Sequence, residues 1–240
     1  MGANIQAMKR YVPNVLTLLN LASGSIGVIL TLKDNLIYGA LCINLGALFD
    51  FLDGLLARSF CYASDFGKHL DSLADLISFG FLPSVIMYTL IELQTHSLHL
   101  PYMALLITLF SALRLARFNL DDAPLETFVG LPTPANAIFI STLPFMMTDD
   151  HHSWLSTCFT HTYTLVGTVI ISSILLMTNI PFMGLKFTTY AWHPNRTRYI
   201  LLLTGGLLIT LLRVEGIILS FFLYVLYSGL SQHLIKENFK

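Results

Sequence analysis

Residues 50–75 read DFLDGLLARSFCYASDFGKHLDSLAD and carry four carboxylates, Asp50, Asp53, Asp71 and Asp75, at the ends of two apolar runs. A carboxylate inside a transmembrane helix costs about 2.5–3.5 kcal/mol at the helix centre, so such residues usually face polar cavities and mark function. Asp50 and Asp53 are three apart and Asp71 and Asp75 four apart, spacings that put each pair on one helical face. The short connection forces the two helices antiparallel and brings both pairs to one depth. The stretch therefore predicts a helical hairpin with an acidic centre near one end.

The rest of the chain says what surrounds that hairpin. Of 240 residues, 55% are hydrophobic and 11% charged, against roughly 25% charged in soluble domains, so the chain is too apolar to fold in water. A hydrocarbon core about 30 Å thick takes ~20 residues per helical crossing, and apolar runs fall near 14–32, 36–57, 69–94, 101–118, 127–147, 161–182, 198–212 and 215–234. The expected fold is an all-α, polytopic transmembrane bundle of about eight spans. It forms a single membrane domain over 1–240, with the acidic segment between the second and third spans. The run beginning near Val15 follows Lys9 and Arg10 as in a signal peptide, but no small-residue cleavage pattern follows, and it reads as the first span. Neither a fixed repeat nor a low-complexity stretch divides the chain.

Basic residues collect in cytoplasmic loops. With the N-terminus inside and an even number of spans, only Lys33 and Arg213 of the 13 Lys and Arg residues fall outside; Arg58, Lys68, Arg114, Arg117, Lys186 and Lys240 are among those inside. This predicts a multi-pass protein of the inner or plasma membrane with its aspartates facing the cytoplasm. Arg213-Val214-Glu215-Gly216 reads either as a very short turn between two spans or as a break in one helix, and the second would put the C-terminus outside.

A net charge of −1 and the lack of a basic run argue against a nucleic-acid partner. Cys42, Cys61 and Cys158 are odd in number and lack CxxC spacing, so they suggest neither a disulfide framework nor a zinc site and read as small apolar filler. His96, His99, His151 and His152 fall in predicted outer loops as solvated side chains. His69, between the acidic pairs, reads as either an interfacial residue or a catalytic part.

Four carboxylates at one depth repel one another, and Arg58 and Lys68 are too few and too far along the loop to neutralise them. Divalent metal is the economical answer. An all-oxygen ligand set suits magnesium, manganese or calcium, whereas zinc would call for His or Cys. Gly54 and Gly67 let a ligand approach the backbone closely, and the planar fork of Arg58 can hold a phosphate oxygen. Metal, arginine and glycine together describe a diphosphate site.

Isolated helix-end aspartates are common at membrane edges, but here eight positions follow D-x2-D-G-x2-A-R-x8-G-x3-D-x3-D: Asp50, Asp53, Gly54, Ala57, Arg58, Gly67, Asp71 and Asp75. That pattern resembles the signature of the CDP-alcohol phosphatidyltransferases, membrane enzymes that move a phosphatidyl or related group from a CDP-linked donor to an alcohol. The resemblance implies that Asp50, Asp53, Asp71 and Asp75 bind a pair of Mg2+ or Mn2+ ions and that Asp75 is also the proton acceptor. It further implies that Gly54, Arg58, Ser64 and Gly67 border the CDP moiety. Asp75 carries two jobs that compete physically, because a metal-bound carboxylate is a weak base.

Three other stretches resemble the phosphatidylserine-synthase branch of that family. Pro13-Asn14-Val15-Leu16-Thr17-Leu18-Leu19-Asn20 resembles its opening, which implies that Asn14 and Thr17 lie near the nucleotide; helix capping explains the same residues equally well. Arg114-Leu115-Ala116-Arg117-Phe118-Asn119 and Gly130-Leu131-Pro132-Thr133-Pro134-Ala135-Asn136 resemble it too. Arg114 and Arg117 share a helical face and can bind a serine carboxylate or the lipid phosphate, or snorkel to the interface; Arg114 is the deeper. Asn119 can bond the amino acid or cap its helix, and Thr133 between two prolines is a ligand or a kink. The implied reaction transfers a phosphatidyl group from CDP-diacylglycerol to the hydroxyl of L-serine. The sister reactions, with glycerol phosphate or inositol phosphate as acceptor, ask for a denser basic pocket. A cation transporter would also carry intramembrane acids, but near mid-membrane and in related inverted halves. The C-terminal spans carry no motif and are candidates for homodimer contacts.

Overall fold

Lys33, Asp34 and Asn35 are all that separates the first two apolar runs, so the chain must reverse within them. The computed structural model, which describes residues 2–60, 64–120, 127–147, 154–183 and 192–237, shows how. Helix α1 (Gly2–Leu32) ends with Asp34 in the left-handed region at φ 61°. The Asp34 N–H donates to the Thr31 carbonyl (3.1 Å) and the Asn35 N–H to the Leu30 carbonyl (3.0 Å). This pairing satisfies the last carbonyls of the helix. Helix α2 (Leu36–Ser59) then returns along α1. Without a side chain at Gly27 or Gly46 the two helices come close: a Cβ there would lie 2.8 Å from the Cys42 Cβ or 2.9 Å from Asn20 Oδ1. Small residues serve this purpose where lipid offers no hydrophobic drive for association.

The third long helix runs continuously over Asp65–Gln94, but in three pieces: α3 (Asp65–Asp75), a π-helical segment over Leu76–Phe81, and α4 (Leu82–Gln94). It is the axis of the bundle. Its apolar window is 67% buried, against 22–33% for the other long apolar helices. Phe79, Leu82, Ile86 and Leu90 from it meet Ile43 of α2 and Ile140 of a later helix in the core. A single-turn-wide π segment marks a local insertion into an α-helix and is frequent at functional sites; here it starts at the residue after Asp75.

A 3-10 turn (Leu100–Ala104) leads into α5 (Leu105–Leu120). The next span, expected over 127–147, is a helix only over α6 (Thr133–Met146). Pro132 and Pro134 are the reason, since residues before proline are pushed to extended conformations and proline itself starts helices well. Residues Thr127–Val129 instead form strand β1, antiparallel to β2 (Pro181–Met183) with Phe128 opposite Phe182. This ribbon is the one departure from an all-α fold among the described residues. Gly130, at φ 82°, closes it: its N–H donates to the Ile180 carbonyl (2.9 Å), and a Cβ would sit 2.5 Å from the Leu176 carbonyl oxygen.

The short helix α7 (Trp154–Phe159) has no counterpart among the expected spans; α8 (Thr162–Met177), α9 (Trp192–Leu212) and α10 (Val214–Glu237) complete the bundle. Arg213, in the left-handed region at φ 52°, is the turn that makes α9 and α10 two helices. Phe139 stacks on Phe221 at 4.4 Å and Phe182 meets Tyr224 at 5.7 Å, so α10 runs antiparallel to α6 and returns toward the ribbon. Among the described residues four helices, Tyr11–Leu32, Leu36–Ser59, Asp65–Gln94 and Leu100–Leu120, are long and apolar enough to cross a membrane, and Thr162–Met177, Arg198–Leu212 and Val214–Gly229 are shorter apolar helices. With large apolar side chains such as Ile29, Leu48, Leu109 and Leu203 exposed on them, the chain is an integral membrane protein. Cys61, His151, His152, Lys186 and Lys240 lie outside the described residues.

Candidate active site

The α2–α3 hairpin brings together what the sequence spaced apart. Oxygens of Asp50 and Asp53 on α2 and Asp71 on α3 all lie within 4.8 Å of one another. Carboxylate oxygens at that mutual separation can close around one hard cation, whose ligands sit ~2.1–2.5 Å from its centre. The donors are all oxygen, as magnesium or manganese requires. Asp75, a turn further along α3, is buried and within electrostatic reach of Asp50, Asp71 and Asp53.

Helix α1 forms one wall of this centre, and it corrects the capping alternative. The helix does not begin near Pro13; it starts at Gly2 and carries Pro13 in its interior. Asn14 and Thr17 are therefore free to face the acids. The Thr17 hydroxyl donates to Asp53 Oδ2 at 2.7 Å, with the Pro13 carbonyl 3.1 Å away as a weaker acceptor. Asn20, fully buried, donates its amide to Asp75 Oδ1 at 3.2 Å, and its own carbonyl accepts from the Ser78 hydroxyl in the π segment at 2.9 Å. Asn20 thus holds Asp75 by its side chain and the following turn by its backbone.

At the mouth of the hairpin, Ser64 caps α3 by accepting from the Gly67 N–H at 3.0 Å. A Cβ on Gly67 would lie 3.1 Å from Ser64 Oγ and 3.3 Å from Asn14 Oδ1, so glycine keeps these three residues together. Gly54 is open: a Cβ there would meet only the Arg58 guanidinium, at 3.9 Å. Arg58 is exposed in the last turn of α2, and His69 is exposed on α3. Asn119 ties α5 to α3, donating to Ser72 Oγ at 2.8 Å and accepting from Lys68 Nζ at 3.1 Å through its carbonyl.

Across from the acids stands a basic side. Arg114 on α5 is 8% exposed, faces Asp75 and Tyr224 electrostatically, and donates from Nη1 to Thr133 Oγ1 at 2.9 Å. Thr133 opens α6 and is fully buried, so it is a partner of Arg114 and not merely a kink between prolines. Arg117, a turn away, is exposed. The site thus has carboxylates able to hold a metal ion on one flank, a buried guanidinium on the other, and Asp75 between them.

The family model for CDP-alcohol phosphatidyltransferase matches residues 10–226, nearly the whole chain. The chain belongs to the CDP-alcohol phosphatidyltransferase family. Among curated relatives, it is 35% identical over 139 residues to a CDP-diacylglycerol–serine O-phosphatidyltransferase of Bacillus subtilis (strain 168), covering 56% of this chain and 76% of the relative. It is 36% identical over 132 residues to an archaetidylserine synthase of Methanothermobacter thermautotrophicus, covering 54% of this chain and about half, 55%, of that relative. A CDP-diacylglycerol–serine O-phosphatidyltransferase of Helicobacter pylori (strain J99) is 26% identical over 217 residues, 90% of this chain and 88% of the relative. Membership in the family makes the chain a transferase.

Three residues of the site went unassigned in the sequence. Asn20 and Asn136 stand at the ends of two of the three stretches that resemble the serine branch, so a signal existed for both. Tyr224 had none: only the return of α10 along α6 brings it to Arg114.

Proposed function

We propose that this chain transfers a phosphatidyl group from CDP-diacylglycerol to L-serine, giving phosphatidylserine and CMP. The observation that carries it is the placement of Asp75 between the carboxylate group of Asp50, Asp53 and Asp71 and the buried Arg114. The relatives' names supply serine as the acceptor. Asp50, Asp53, Asp71 and Asp75 would hold a pair of Mg2+ or Mn2+ ions, which when bound spread the diphosphate charge and stabilise CMP as leaving group. Thr17 orients Asp53, while Asn14, Gly54, Arg58, Ser64 and Gly67 border the CDP. Arg114 and Thr133 hold the serine carboxylate, Arg117 serves the lipid phosphate at the surface, and Asn119 with Lys68 braces α3 against α5. As the serine oxygen attacks phosphorus, Asp75 takes its proton and the bond to CMP breaks. The diacyl tails remain among the helices, and the Lys and Arg asymmetry supports a site on the cytoplasmic face.

Acceptors that carry a phosphate are the second reading. One buried guanidinium suits a carboxylate better than a dianionic phosphate, which draws several basic groups. Purified protein with CDP-diacylglycerol, Mn2+ and radiolabelled serine is expected to yield labelled lipid and an equal amount of CMP. Faster transfer to glycerol phosphate or inositol phosphate would assign a sister reaction, and ion flux across vesicles without lipid product would sink the enzyme reading.

A further inference from the structure

Asn136 is fully buried on α6, yet neither its Oδ1 nor its Nδ2 has a hydrogen-bond partner among the described residues. A buried amide with both ends unpaired is costly, and native structures retain such groups where a ligand or a function completes them. Its position in the fold says which ligand. Thr133, Asn136 and Ile140 follow one another at helical spacing and are all fully buried, so they share the inward face of α6. Thr133 accepts from Arg114 Nη1, and Arg114 Nε is itself buried without a partner among the described residues. One turn from Arg114 on α5, the buried Ser111 hydroxyl likewise has none among the described residues. Helices α5 and α6 both pack on the π segment that begins directly after Asp75.

We infer that Asn136 is a specificity-determining residue that reads the α-amino-acid part of the acceptor. A zwitterion beside Asp75 presents one carboxylate and one ammonium. Arg114 Nε and the Thr133 hydroxyl, whose proton is not needed by Arg114, donate to the carboxylate. Asn136 offers what a zwitterion needs and a lone cation or anion does not: an amide donor for the carboxylate and a carbonyl acceptor for the ammonium, on one planar group. Alcohols lacking either charge leave one of these atoms unpaired, a larger penalty than losing a contact at an exposed site. This assignment rests on serine being the acceptor and adds to it a residue on α6, outside the acidic signature.

The test is Asn136→Leu, which keeps the side chain's size and removes both unpaired polar atoms. The serine KM is expected to rise about tenfold or more, while the KM for CDP-diacylglycerol and the affinity for CDP stay within about twofold. The melting temperature should hold or rise, because an unsatisfied buried amide has been removed. A purely structural amide would do the opposite, lowering the melting temperature and shifting both KM values together, and that result overturns the inference. An unchanged serine KM overturns it as well. Should the leucine variant fail to fold, Asn136→Ala reads the same split between the two KM values. Wild-type protein that transfers phosphatidyl to some alcohol but not to serine would refute the serine reaction itself, an outcome distinct from an unmoved KM in a serine-using enzyme.

Discussion

The acidic flank on α2 and α3 and the basic flank on α5 and α6 meet at Asp75, but they are built on opposite principles. The acids repel one another and are gathered by spacing along two adjoining helices, with Thr17 and Asn20 of α1 steadying Asp53 and Asp75. The basic flank holds one buried guanidinium and several buried polar atoms, drawn from helices separated in the chain by residues 121–132. Its polar groups are under-satisfied, not over-charged. Under the proposed function, the difference means that the first flank holds cations and diphosphate whatever the acceptor, while the second chooses the acceptor. Substitutions on the two flanks should therefore fail in different ways.

The largest effect is expected where the flanks meet. Asp75→Asn should lower kcat by about 10²–10⁴-fold, the usual worth of a general base, while CDP binding and the melting temperature are preserved. Because the loss falls on the chemical step, it should be the same for every acceptor tested; turnover close to wild type would remove Asp75 as the base. On the basic flank, Arg114→Lys keeps the charge and loses the planar fork. It should cut kcat/KM for serine by about ten- to a hundredfold, as expected for a hydrogen bond to a charged group, with the CDP-diacylglycerol KM unmoved. An equal rise in both KM values would put Arg114 on the diphosphate side and break the division of labour. The smallest effect belongs to Thr17→Val, which removes the hydroxyl bonded to Asp53. It should raise the Mn2+ concentration for half-maximal activity by about tenfold, the lower range for partners that orient metal ligands. Unaltered metal dependence would make Thr17 a packing residue.

The acidic flank was legible because its carboxylates lie on consecutive helices, where helical period and a short loop leave few arrangements. Asp50, Asp53 and Asp71 needed no knowledge of the rest of the fold to be paired. Span boundaries were legible where apolar runs ended in charge, as at Lys33, and were missed where proline acted within a run. Residues 127–132 looked like membrane helix but became a strand and a turn, since Pro132 and Pro134 delay the start of α6 and Gly130 closes on the end of α8. The Arg213 turn was ambiguous in sequence because a left-handed arginine has no compositional mark.

By itself, then, the sequence determined that this chain lives in a bilayer, that its second and third helices form a hairpin, and that the aspartates on it gather into a group able to hold a divalent cation. Those conclusions follow from hydropathy, helical period and charge repulsion, which act between residues near in the chain. Only the tertiary structure decided that α1, instead of beginning near Asn14, carries Thr17 and Asn20 to the acids and Asn14 to Gly67. It also decided that Thr133 and Tyr224 meet Arg114 opposite, with Asn136 buried one turn beyond Thr133 on α6. Whether a buried amide is satisfied depends on atoms from distant helices, so Asn136 could acquire a meaning only once those helices were packed.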